Sequence, residues 1–143
     1  MQRTAAILLA FSCSLLARSA LAHGPLDNLA DIEQALAKGH AVSVSIDLSQ
    51  CTGKDGAPPT KTRGGLRIDA YRIVEDGTLS FSDAHFTVAR DGQPIQQMLR
   101  YQVHPDGGID FTMFVFSLPG FEARPPVLAY RCGINQGLQF NAR

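Results

Sequence analysis

The chain of 143 residues balances 13 basic against 13 acidic side chains, with 45% apolar residues, three cysteines and no tryptophan. Its basic residues are scattered singly, so no cationic stripe exists to neutralise phosphates, which excludes nucleic-acid binding. The length suits one domain with a single modest core, and no apolar run beyond the N-terminus is long enough to span a bilayer.

Residues 1–22 have the three-part layout of a cleavable export leader. Arg3 supplies a basic start, Ala5 to Ala17 an apolar stretch, and Ala20-Leu21-Ala22 the small residues of a cleavage site. The apolar stretch ends at Arg18, well short of the roughly 20 residues that a spanning helix needs. Lipid attachment at Cys13 fits poorly, because bulky Phe11 precedes it and apolar residues continue past it. Cleavage would start the mature chain at His23, whose amine and imidazole could bind copper, though a lone terminal histidine is little evidence of a site. The mature 121 residues keep 11 basic and 13 acidic groups, a formal charge of −2. Only Cys51 and Cys132 survive, and two cysteines in an oxidising compartment predict one disulfide. Neither has the C-x-x-C spacing or neighbouring histidine of a metal or catalytic thiol.

The first predicted element of the mature domain, 23–143, is a helix over about 25–38. Leu26, Leu29, Ile32 and Leu36 recur at helical spacing, acids crowd the first half, Pro25 suits a first turn and Gly39 a stop. From about residue 41 the period becomes two: Val42, Val44, Ile46 and Leu48 alternate with polar residues as in a half-buried strand. Residues 52–65, with four glycines and two prolines, then read as a mobile surface loop, either functional or merely flexible.

Three Asp-Gly pairs follow at 76–77, 91–92 and 106–107, 15 residues apart. Asp-Gly marks tight turns, since glycine accepts positive φ and aspartate bonds its own backbone. The segments 66–74, 78–89, 94–104 and 109–118 between them are predicted strands, with further strands at about 126–132 and 137–141. The fold class is therefore mainly β: an antiparallel up-and-down meander forming a barrel or strongly curved sheet, with one N-terminal helix and one disulfide. A two-sheet sandwich is the alternative.

Candidate sites are few. Leu79 and Phe81 are apolar at odd positions but Phe86 and Val88 at even ones, which predicts a β-bulge near Ser82 to His85. Asp83 and His85 could share a face there, as an acid/base or metal-ligand pair. Arg67 and Asp69 read as an exposed strand face, and His40 and His104 add nothing to the pair. The run Ile109 to Phe116 is apolar on both faces, so Phe114 and Phe116 are candidates for a ligand cavity or partner surface. No nucleophile elbow, zinc-protease, phosphate-loop or dinucleotide motif is present. No catalytic residue, metal site or cofactor is assigned.

The stretches VSVSIDLSQCT (42–52), TRGGLRIDAYRI (62–73), DGTLSFSDAHFTV (76–88) and DGQPIQQMLRYQVHPDG (91–107) resemble the VirK family of small exported bacterial proteins. The likeness runs from about residue 40 to 140 and includes Cys51, Gly64-Gly65, Asp83 to Phe86 and Cys132. It implies a periplasmic or secreted protein associated with virulence, and carries over no catalytic residue. Together these readings predict a non-enzymatic binding or interaction module with an unknown small ligand or protein partner. The alternative is a small metal-dependent enzyme or hydrolase using Asp83 and His85.

Overall fold

The computed structural model describes residues 24–143; the leader, Cys13 and His23 lie outside them. Among the described residues, no helix is long and apolar enough to cross a membrane.

The described residues open with a two-residue strand, β1 (Pro25–Leu26), before helix α1 (Leu29–Ala37). The helix thus starts later than its apolar spacing suggests. Asn28 caps it by accepting from the Asp31 amide at 3.0 Å, while Pro25 and Leu26 pair with Asn141 and Phe140. A side-chain cap fixes the first turn where apolar periodicity cannot. Ile32, Ala35 and Leu36 face the core.

β2 (Val42–Asp47) leads through a single 3₁₀ turn (Leu48–Gln50) into β3 (Thr52–Lys54), then β4 (Arg63–Arg67) and β5 (Tyr71–Ile73). Two expectations change here. The predicted loop 52–65 is a strand at each end, with β3 pairing the later strand that carries Tyr130, and β4 pairing β2. Two of its glycines, Gly53 and Gly65, mark close approaches: a Cβ at Gly65 would lie 2.8 Å from the Val44 carbonyl oxygen. The predicted strand 66–74 is also broken, at 68–70. β4 pairs with β2, the Ile68 amide bonds the Val42 carbonyl at 2.9 Å, and β5 changes partner. Upstream, Arg67 and Asp69 alternate with Leu66, Ile68 and Ala70, and the break lies just before Arg72, which has the other parity.

Three long strands follow, β6 (Leu79–Val88), β7 (Pro94–Val103) and β8 (Gly108–Ser117), within a residue or so of their predicted limits. The Asp-Gly turns are built alike. Gly77, Gly92 and Gly107 have φ near +80°, and Asp76, Asp91 and Asp106 accept from the amide two residues on. β6 pairs with β7 without interruption from Leu79↔Val103 to Val88↔Pro94. The predicted bulge is absent. Leu79 and Phe81 are buried in the core, whereas Phe86 and Val88 sit on the opposite face near the strand's tip, 71% and 64% exposed. The change of parity marks where the core ends, not where the backbone slips.

β9 (Glu122–Ala123), β10 (Leu128–Ile134) and β11 (Gly137–Ala142) complete the chain. The strand order is β4-β2-β11-β10-β8-β7-β6-β5, one curled sheet that is antiparallel except for a two-residue parallel overlap of β10 and β11. Its end strands, β4 and β5, are joined by only three residues, 68–70, so the sheet bends back on itself. Inside the curl, Phe81, Tyr101, Phe111 and Tyr130 form a chain of ring contacts 4.9–6.2 Å apart. Cys51 and Cys132 are bonded, pinning the turn after β2 to β10.

Candidate functional site

Alternation along the long strands decides which side chains meet. Odd-numbered residues of β6, β7 and β8 point into the curl, and the pairing aligns them in rows. One row runs Asp83, Leu99, Met113, Leu128, crossing four strands. These residues line a cleft of about 480 Å³, with Tyr101, Phe111 and Tyr130 at its floor. Its opposite rim is Thr60, Thr62 and the Arg63-Gly64-Gly65 segment of β4. The Tyr130 hydroxyl donates to the Pro58 carbonyl at 2.9 Å, tying the 57–62 segment down beside the opening. A half-apolar concavity of this size with a few polar groups at one side is the ordinary form of a small-ligand site.

Asp83 and His85 stand on the polar side. Their spacing of two places both inward on β6, and Asp83 Oδ2 meets His85 Nε2 at 3.0 Å. Asp83 Oδ1 accepts from the Ala84 amide at 2.8 Å, so both carboxylate oxygens have protein partners. Beneath them, Tyr101 is held protonated well above the ordinary range, first by burial and then by the Asp83 charge. Among the described residues no group of three His, Cys, Asp or Glu side chains converges as a metal site. The pair therefore has no third such ligand to complete a coordination sphere.

Phe114 and Phe116 are not part of this cleft. Their even numbers turn them to the convex face, where Met98 lies beside Phe114, Gln96 beside Phe116, and Arg100 sits 5.5 Å over the Phe114 ring. Both are half-buried. The two candidate pairs thus occupy opposite faces of one sheet. The convex face also holds a charged cluster at its other end. Asp110 Oδ1 receives Lys54 Nζ at 3.1 Å and Arg131 Nη1 at 3.2 Å, and Oδ2 meets His104 Nε2 at 3.1 Å. His104 Nδ1 lies 3.2 Å from Thr78 Oγ1, but Thr78 is fully buried, so this string ties the β5–β6 turn to the β7–β8 turn and offers no accessible nucleophile.

Leu99, Met113, Leu128 and the floor tyrosines are the residues that inspection of single strands misses. For Leu99 and Met113 the signal was present in the Asp-Gly turns, because a fixed turn fixes register; β10, with Leu128 and Tyr130, is reached by a connection without such a turn.

The chain matches the VirK protein family over residues 25–121. It is 53% identical over 118 residues to the "Uncharacterized protein in pinF2 3'region" of Rhizobium radiobacter, covering 82% of this chain and 81% of that one. It is 49% identical over 116 residues to the "Uncharacterized protein y4wH" of Sinorhizobium fredii, covering 80% of each. Among solved structures, the crystal structure of lpg1832, a VirK family protein from Legionella pneumophila, shares the fold with a TM-score of 0.73. That match has 20% identity and covers 82% of this chain and 98% of the other.

Proposed function

We propose that this chain, which belongs to the VirK family, is exported to the periplasm or beyond and there holds a small amphipathic ligand in the cleft of its curled sheet. The cleft is the observation that carries the reading: about 480 Å³ of space between apolar side chains on the floor and Asp83, His85, Gln97 and Arg63 at the rim. An apolar ligand body would pack on Leu99, Met113 and Leu128, and its polar end would lie at the rim. Export is supported by the leader pattern of residues 1–22 and by the Cys51–Cys132 bond, which persists in oxidising compartments. The virulence association implied by the resemblance adds that the ligand is met by a host-associated bacterium. Binding is preferred to hydrolysis because both Asp83 carboxylate oxygens are already engaged, one with His85 Nε2 and the other with the Ala84 amide.

Two measurements test this. Protein recovered from the periplasm should have the intact mass of residues 23–143 less two hydrogens; retention of residues 1–22 would reject export by cleavage. The mature chain should bind the fluorescent probe N-phenyl-1-naphthylamine saturably at one site. Leu99→Trp, which fills the cleft, should weaken it at least tenfold, and Phe114→Ser should not change it. Absence of saturable binding, or an equal loss in Phe114→Ser, would reject the cleft as the site.

A further inference from the structure

The curl is not closed by hydrogen bonds along its whole height. β6 pairs with β7 over all ten of its residues, but with β5 only from Leu79 to Phe81, so among the described residues Ser82 to Val88 have one open side. Among the described residues, β4 pairs with β2 alone. The open edges of β4 and β6 flank the cleft: Arg63, Gly64 and Gly65 line it from one side, Asp83 and His85 from the other.

The turn hydrogen bonds reveal which backbone groups face this seam. Ala89 bonds Gln93 across the β6–β7 turn and Val74 bonds Thr78 across the β5–β6 turn. Odd residues of β6 therefore bond β7, and even residues, Ser82, Ala84, Phe86 and Val88, aim their N–H and C=O groups into the seam. On β4, the Leu48–Thr62 and Ile68–Val42 bonds assign even residues to β2, which leaves Arg63, Gly65 and Arg67 aimed at the seam. One seam-facing donor is covered: Asp83 Oδ1 takes the Ala84 amide. An inward charge of this kind is a common guard on sheet edges. The guard stops there. Phe86, Thr87 and Val88 have high β propensity, are exposed, and carry no lysine, proline or bulge.

We infer that the seam between β4 and β6 accepts one extended segment of another polypeptide, which adds a strand to the curl. Rows of unpaired amides and carbonyls are matched by another extended backbone, not by a compact small molecule. The occupant must have both of its own edges free. A second copy's β6 does not qualify, because it would arrive with β7 along its other edge, in the space that β4 bounds. The fitting partner is a tail or linker of about five to seven residues, enough to span Ser82 to Val88. Its outward side chains would be β-branched or aromatic, lying beside Phe86 and Val88.

The test selects a random seven-residue peptide display library on the mature chain, with counter-selection on Phe86→Pro. Proline removes an amide that faces the seam and leaves the β6–β7 ladder intact. Enriched peptides should alternate apolar and polar residues. Their affinity, by fluorescence anisotropy, should fall at least tenfold on Phe86→Pro, and as much on methylation of alternate peptide amides. Phe86→Lys, which keeps the backbone amide, guards against misfolding of the proline variant and should also weaken binding. No enrichment, or equal affinity for wild type and both variants, overturns the inference. Peptides that compete with N-phenyl-1-naphthylamine yet tolerate amide methylation would be cleft ligands, which overturns strand addition while leaving the cleft reading standing. A dimer in sedimentation that Phe86→Pro dissociates would make a second copy the occupant, and overturns the inference as stated.

Discussion

Removing the Cys51–Cys132 bond should destabilise the mature domain through its unfolded state. In the fold, Cys132 is already held by the ladder: β10 has five paired positions on β8 and three on β3. Those contacts survive loss of the bridge. What changes is the freedom of the unfolded chain, in which a bond spanning 81 residues closes a long loop. The chain-entropy relation gives about 4.5 kcal/mol for a loop of that length, and measured values centre on about 2–4 kcal/mol. Unfolding entropy of about 2.1 cal/mol/K per residue gives about 0.25 kcal/mol/K for the mature chain, so the melting temperature should fall by about 8–16 °C. Circular dichroism melts of wild type with and without reductant, of Cys51→Ala, of Cys132→Ala and of the double variant measure this. All three variants should lose nearly the same amount, because one bond cannot be lost twice. Additive losses, or a wild type indifferent to reductant, would refute the reasoning.

Asp110 should make stability depend on acid. Burial alone would raise its pKa, but hydrogen bonds from Lys54, His104 and Arg131 outweigh that and hold it below the usual carboxylate range. A folded value below the unfolded one stabilises above about pH 4 and is lost as pH falls through the folded value. Asp110→Asn should therefore cost about 1–2 kcal/mol at pH 7 in urea titrations and almost nothing near pH 2; a difference that ignores pH would show the cluster to be inert. Gly137→Ala should cost about 2–3 kcal/mol, since φ there is +93° and the added Cβ would overlap Cys51 Sγ. In a Cys51→Ala background the overlap with Sγ should vanish, leaving the backbone strain and the close approach to Cys132 Cβ at 3.3 Å, so identical costs in both backgrounds would place the strain elsewhere.

The parts of the fold legible in the sequence are those set by local chemistry. Each Asp-Gly pair needs only its own residues to turn, so β6, β7 and β8 fall close to their predicted limits. The disulfide needs only a count of cysteines and a compartment. The parts that were not legible depend on partners distant in sequence. Residues 66–74 keep a strand-like character throughout, yet Arg63–Arg67 finds β2 and Tyr71–Ile73 finds β6, and nothing in the segment itself announces the change. The glycines of 52–65 signal a loop in isolation, whereas Gly53 and Gly65 are needed where backbones pass too closely for a Cβ. Phe86 and Val88 suggested a bulge because apolar residues were read as buried; they are apolar and exposed.

That exposure changes the meaning of the Asp83–His85 pair. A carboxylate beside an imidazole suggests proton transfer when only the residue types are known. With the edge defined, the pair has a structural account: one oxygen of Asp83 covers a backbone amide that has no strand to bond, and the other holds His85 over the same opening. If the pair existed only to prevent edge pairing, the guard would be expected along the whole open stretch. It covers Ala84 and leaves Phe86 and Val88 bare, the two most exposed large apolar residues of the described chain. A guarded half beside a bare half limits where a strand can join and in which register. The bare half supplies apolar area, and the guarded half rejects any strand that cannot displace a carboxylate from its amide. Selective pairing therefore explains the distribution of charge and grease along β6 better than protection alone.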